Sequence, residues 1–186
     1  MSVSVTINPE HLARLQLFFK DMPKAYNKAA YRGINKGVKK SKVTAKDGVR
    51  SKVNLTAKKT NEALSTTKAS PNKLRAALSL EQKTVNVQYY GAAPTKKKGT
   101  SFTTWKNLGK QRIQSAFRVV SIGKQIYIKD YDNSSYTGRG PFETVKGPSV
   151  QSVVERYNSI WTDAADKGGE AMQEEFARQL NLALDK

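Results

Sequence analysis

The residues with the most evident chemistry lie between positions 96 and 110. Lys96, Lys97, Lys98, Lys106 and Lys110 are interleaved there with Phe102 and Trp105. Cations neutralise phosphates and aromatic rings stack on bases, so the segment carries both parts of a nucleic-acid surface. A second basic set, Lys39, Lys42, Lys46 and Arg50, lies upstream. No recognition-helix or RNA-module pattern accompanies either set, so any nucleic-acid binding is expected to be electrostatic and blind to base sequence. The same cations suit an acidic protein surface, and a solvated basic face is the plain alternative.

Residues that could make or break bonds are sparse. His11 is the sole histidine, there is no cysteine, and no GxGxxG, GxxxxGKS/T or GxSxG pattern occurs. Asp130 and Asp132 beside Lys129 have the residue types of a metal-dependent phosphodiesterase. In a loop rich in Ser, Asn and Gly they read more simply as turn formers. The expectation is a protein that is not an enzyme and uses no cofactor and no metal. A nuclease is the distant alternative. Lack of cysteine removes disulfides and suits synthesis in a reducing cytoplasm. The first residues lack the pattern of a signal peptide, and no apolar run approaches the ~20 residues of a membrane span.

Charge sets the partner class. Lys plus Arg number 33 against 15 Asp plus Glu, a net charge of +18. Lys24 to Arg75 holds fifteen basic residues and two acids, and Lys96 to Lys129 holds nine basic residues and none. From Gln151 onward the balance reverses, with four basic residues and seven acidic. A basic body with a mildly acidic C-terminal helix favours nucleic acid or an acidic protein as partner.

Several elements must position these groups. Ser2 to Ile7 alternates as a strand or extended arm, and Asn8-Pro9-Glu10 is a helix start. A second helix over about 23–46 turns Tyr26, Ala30, Gly33, Ile34, Gly37, Val38 and Ser41 inward, with Lys39, Lys42 and Lys46 among the lysines of the opposite face. Its small residues admit another backbone at close range, as a packing accommodation rather than a dimer motif. Gly48 is expected to end it. A shorter helix follows from about Thr56 to Leu64. Strands are expected at Leu74–Leu80, Thr84–Tyr90, Ser115–Ile122 and Gln125–Asp130, the last two joined by a Gly123-Lys124 turn. The final stripe, Tyr157, Trp161, Ala165, Gly168, Met172, Phe176, Leu180 and Leu184, is a helix with acids on its other face. These elements predict an α+β fold: N-terminal basic helices, a central antiparallel sheet with a long basic loop, and a C-terminal amphipathic helix. One domain is expected over 1–186, with an N-terminal arm and helix (1–22), an exposed basic loop (91–110) and a C-terminal helical segment (148–186).

The stretch "RGPFETVKGPSVQSVV" (139–154) supplies a structural corner. Pro141 starts an extended run in which Phe142 and Thr144 point one way and Glu143 and Val145 the other. Gly147 permits a turn and Pro148 fixes its exit. Pro148 or Ser149 then begins a helix that buries Val150, Val153 and Val154. Upstream lie Ala30, Ile34 and Asn35, then "KASPNKLRAALSL" (68–80), a segment ending "YYG", the lysine-rich loop and "QSAFRV" (114–119). This succession, over roughly 25–158, resembles the minor tail protein Z, or tail completion, family of long-tailed siphovirus-type bacteriophages. The resemblance implies a virion protein of the head-proximal tail neck, made in the host cytoplasm, that completes the tail and enables head–tail joining. It implies a homo-oligomeric ring touching tail-tube, tail-terminator or head–tail connector proteins, with the DNA end in the channel as a further partner and no membrane. The loop "DNSSYTGRG" before Pro141 is longer and more polar than that pattern. The alternative is a sequence-non-specific DNA-binding protein acting through the basic helix and loop.

Overall fold

The computed structural model describes residues 2–5, 23–95, 98–118, 125–129 and 142–184. The fold is α+β, with two long helices, two short ones and four small antiparallel sheets among these residues. Contacts divide the chain into two compact units, Met1–Asp47 with Leu64–Leu80 and Tyr157–Lys186, and Gly48–Ala63 with Glu81–Arg156.

The first unit contains β1 (Ser2–Val5), β2 (Leu64–Thr67), β3 (Ala76–Leu80), α4 (Ser159–Leu184) and the first part of α1 (Pro23–Lys52). Its sheet has the order β1-β3-β2, with Leu78 opposite both Val3 and Thr66. Along β3, Ala76 and Leu78 are buried while their neighbours are half-buried, the period-two signature of a strand with one face on a core. That core joins Ile34, Val38, Ala69 and Ala76, with Tyr31, Leu74 and Met172 packed on it. Tyr26, Ala30, Ile34, Val38 and Ser41 are all buried, so the inward stripe expected on α1 is the observed one.

The small residues of α1 face α4. A Cβ added at Gly33 would lie 2.9 Å from the Met172 carbonyl oxygen, and one at Gly37 would lie 2.7 Å from that of Gly168. A Cβ added at Gly168 would meet the Ser41 hydroxyl and the Gly37 carbonyl in turn. The two backbones therefore touch, and no larger side chain fits at the crossing. Beyond it, Tyr26 meets Phe176 edge-on, with ring centroids 5.8 Å apart.

The second unit contains α2 (Ala57–Glu62), β4 (Val85–Asn86), a one-turn 3-10 helix (Val87–Tyr90), β5 (Ala93–Thr95), β6 (Gly99–Phe102), β7 (Gln111–Ile113), β8 (Phe117–Arg118), β9 (Ile126–Lys129), β10 (Phe142–Thr144), β11 (Lys146–Gly147) and α3 (Val150–Arg156). Two three-stranded sheets, β5-β6-β7 and β10-β9-β8, and the ribbon β4-β11 surround a core of Val87, Phe102, Ala116, Ile126 and Val145.

Several sequence expectations shift. Helix α1 does not stop at Gly48 but runs to Lys52. Val49 and Val53 are fully buried. Burying each is worth ~1.5–3 kcal/mol, which outweighs the ~1 kcal/mol that a helical glycine costs. The expected strand Thr84–Tyr90 is a strand only at Val85–Asn86. Asn86 accepts the Gln88 N–H through its side chain at 3.0 Å and turns the chain into the 3-10 helix. Residues 91–110 are not an open loop, since they hold β5 and β6 and a bridge from Trp105 to Val53. The turn into β6 uses Gly99 at φ +74°, where a Cβ would strike the Ile113 carbonyl oxygen at 2.3 Å. The helix start at Asn8-Pro9-Glu10, the Gly123-Lys124 turn, Pro141, His11, Asp130 and Asp132 lie outside the described residues.

Two glycine substitutions test the helix crossing. Gly37→Ala is expected to lower stability by about 1–3 kcal/mol, because backbone and not a pliable side chain opposes the new methyl. Gly169→Ala meets nothing within 4 Å and is expected to gain about 0.5–1 kcal/mol from helix propensity. Denaturant unfolding of both variants reads the two signs.

Candidate functional site

The corner expected from the sequence is held by a residue 57 positions before it. Tyr90, fully buried at the end of the 3-10 helix, lays its ring against Gly147, where an added Cβ would lie 2.7 Å from Cε2. Its hydroxyl donates to the Pro148 carbonyl. Burial pushes the Tyr90 phenol far above its ordinary pKa, so it remains a neutral donor. Ser149 accepts the Ser152 N–H through Oγ at 3.0 Å, the bond of a helix cap, and α3 then buries Val150, Val153 and Val154. On the strand side, Phe142 sets its ring edge-on to Phe117 at 5.3 Å while Val145 enters the core. Phe142 and Glu143 are both exposed, so burial along 142–145 does not alternate and it is Val145 that is drawn into the core.

Asparagines fasten both units. Asn86 Oδ1 accepts the Ile126 N–H and its Nδ2 donates to the Ile126 carbonyl, each at 3.1 Å. Asn35 makes the same two-way contact with Ala69, at 2.8 and 3.0 Å. Both side chains act as one more residue of a β-ladder. No local signal in the sequence marks Tyr90 or Asn86 as a fastener. Asn-Val and Tyr-Tyr-Gly are unremarkable as local patterns, and only the long-range partners give them meaning.

The candidate cations fall into separate places. Lys39 is exposed and Lys42 half-exposed on α1, and both line a groove of about 620 Å³ in the first unit. Its other charged lining residues are Arg32, Lys36, Lys68 and Arg178, with Glu175 as the one acid. Glu175 accepts two bonds from Arg178, at 2.6 and 3.1 Å, and one from Gln179, and lies 3.9 Å from Lys36. The Arg178 guanidinium, helped by Gln179 and Lys36, holds its carboxyl below the ordinary carboxylate range. Lys46 and Arg50 do not line this groove.

The 96–110 segment departs from its expected role. Phe102 is 6% exposed and belongs to the core of the second unit, so it is withdrawn from any bound base. Trp105 is half-buried, with the Arg156 guanidinium 4.8 Å from its ring centroid. Lys98, Lys106 and Lys110 are exposed, whereas Lys96 and Lys97 lie outside the described residues. Cations are present there, but the two rings do not form a stacking platform. A second cleft of about 400 Å³ holds Lys59, Lys83 and Lys146. There Glu62 takes Lys59 at 2.6 Å and Glu81 takes Lys83 at 2.8 Å, so most of its charge is balanced. No helix among the described residues is long and apolar enough to cross a membrane.

The corner yields one expected outcome. Tyr90→Phe is expected to lose about 1 kcal/mol with the Pro148 bond, and Gly147→Ala about 1–3 kcal/mol through its clash with a ring that cannot move. Thermal unfolding of the two variants measures both. The Glu175 cluster yields another. Its depressed folded-state pKa adds stability above the ordinary value of 4.5, and this is lost as pH falls through the lower folded value. The acid limb of a stability–pH curve is therefore expected to be shallower in Glu175→Gln than in the unaltered chain. Parallel limbs would remove the assignment.

No protein-family model matches the chain, and no curated protein or solved structure matches it.

Proposed function

We propose that the chain is a structural virion protein of the head-proximal end of a phage tail, completing the tail and enabling head–tail joining. It acts by assembly and not by catalysis. Its expected setting is a homo-oligomeric ring at the neck, in contact with tail-tube, tail-terminator or connector proteins.

The observation that carries this reading is that the separate sequence motifs meet in pairs. Tyr90 of the "YYG" motif packs on Gly147 and bonds to Pro148 of the "GPSV" motif. Phe117 of "QSAFRV" packs on Phe142 of "PFE". Asn35 of the helical motif bonds in both directions to Ala69 of "KASP". Motifs far apart in sequence that fix one another in space act as one structural constraint. That supports reading their order as a signature of the tail completion fold. A strand, turn and helix start held at a set angle by a buried phenol also suits a subunit that must present fixed faces to its neighbours.

The experiment is a joining assay. Tails assembled without this chain are mixed with filled heads, with and without the purified protein, and infectious particles are counted. The protein is expected to restore infectivity. Tails that join equally well without it would sink the proposal.

A further inference from the structure

The groove of the first unit gathers cations that the fold does not balance. Arg32, Lys36, Lys39 and Lys42 come from α1, Lys68 from just beyond β2 and Arg178 from α4. Against these six stands Glu175, whose oxygens already serve Arg178, Gln179 and Lys36. Lys39, Lys42 and Lys68 enter no ion pair among the described residues. Like charges held together in this way repel one another, and a bound polyanion relieves the repulsion.

Spacing and lining choose the polyanion. The four α1 cations follow at intervals of four, three and three residues, which places them along one helical stripe about 15 Å long. One strand of a duplex offers a phosphate every ~3.4 Å of axis, so such a stripe spans about four phosphates. The lining includes no aromatic side chain, and Val38, its sole apolar member, is buried at 3% exposure. Protein-binding patches are enriched in Tyr, Trp, Phe, Met and Arg and depleted of Lys, whereas this lining holds four lysines beside two arginines, and single-strand sites need rings for stacking. A cationic groove without rings fits the outside of a duplex, where contacts go to phosphate oxygens and position without specifying.

We infer that this groove seats the phosphate backbone of double-stranded nucleic acid, without reading its sequence. Lys39, Lys42 and Lys68 are the primary contacts because no carboxylate among the described residues holds them. Arg32 reaches Gln179 Oε1 at 2.8 Å and keeps its other donors for the ligand. The inference stands apart from the tail role and does not require it.

The test measures binding of the full chain to a short mixed-sequence duplex, to the corresponding single strand and to poly-glutamate, by fluorescence anisotropy across a salt series. The duplex is expected to bind tightest. Lys39→Gln/Lys42→Gln/Lys68→Gln is expected to weaken the duplex about 100-fold at low salt and to flatten the log–log salt slope by about 2–3. Lys58→Gln/Lys73→Gln/Arg75→Gln removes the same net charge from exposed positions outside the groove and is expected to change the slope by less than about 1. Equal losses in the two triple variants would overturn the groove in favour of diffuse charge. Tighter binding of poly-glutamate would overturn it in favour of an acidic protein partner, and tighter binding of the single strand would exclude the duplex. A chain that restores head–tail joining yet binds no duplex removes this inference and leaves the tail role standing.

Discussion

The contact of two helix backbones at Gly33, Gly37 and Gly168 is the constraint on which the first unit depends. Van der Waals contact between backbones leaves no room to slide, so the register of α4 on α1 is fixed to within a fraction of a turn. From that register follow the neighbours that matter for charge. Glu175 comes within reach of Lys36, and Arg178 takes its place in the lining of the groove. Apolar packing at Met172 on the Ile34–Val38 cluster is set by the same approach. The arrangement has a cost. The Ser41 hydroxyl is buried at the crossing without a partner among the described residues, and such a group is worth ~1–3 kcal/mol of lost solvation. Gly168 could not be any larger residue while Ser41 faces it.

The second unit reaches rigidity by other means. Its strands are two to four residues long, too short for ladders alone to fix them. Side chains complete what the ladders lack. Asn86 engages both backbone groups of Ile126 through its side-chain amide, and the Ile126 carbonyl also receives the Val145 N–H at 2.9 Å. Val87 N–H reaches the Val145 carbonyl at 3.0 Å. Residues 86–87, 126 and 145 thus form one hydrogen-bonded knot, and the buried apolar cluster of Val87, Ile126 and Val145 lies on it. Tyr90 extends the knot to the Gly147-Pro148 turn. The corner is rigid because polar satisfaction and apolar burial coincide at the same few residues.

The sequence made the helices legible and left the short strands ambiguous, for a physical reason. Amphipathic periodicity over twenty or more residues identifies α1 and α4, including the close-packing role of Gly33 and Gly37. A two-residue strand such as Val85–Asn86 has no period to read. Its place is decided by partners forty and sixty residues away, at Ile126 and Lys146. The same limit misplaced the aromatic residues. Phe102 beside a run of lysines reads locally as a ring offered to a ligand, yet it shares a strand face with buried Thr100 and enters the core. Two of the six cations of the candidate groove, Lys39 and Lys42, were visible as candidates. Lys68 and Arg178 were not, because they come to α1 only through β2 and the glycine crossing.

Electrostatics then separates what holds the fold from what the fold presents. Ion pairs between described side chains engage Lys36, Lys59, Lys83 and Arg178. The exposed pairs Lys59–Glu62 and Lys83–Glu81 are worth ~0–1 kcal/mol each and contribute little to stability. The acids of α4 are mostly turned outward, with Asp163, Asp166, Glu170 and Glu174 exposed, so close packing joins the basic α1 to the acidic α4 more than the long Lys36–Glu175 pair at 3.9 Å does. A chain with a net charge of +18 keeps a field of several kT over its surface. Because packing carries the stability, that field can change with salt or partner without loosening the fold. The charge is free to act on something outside the molecule.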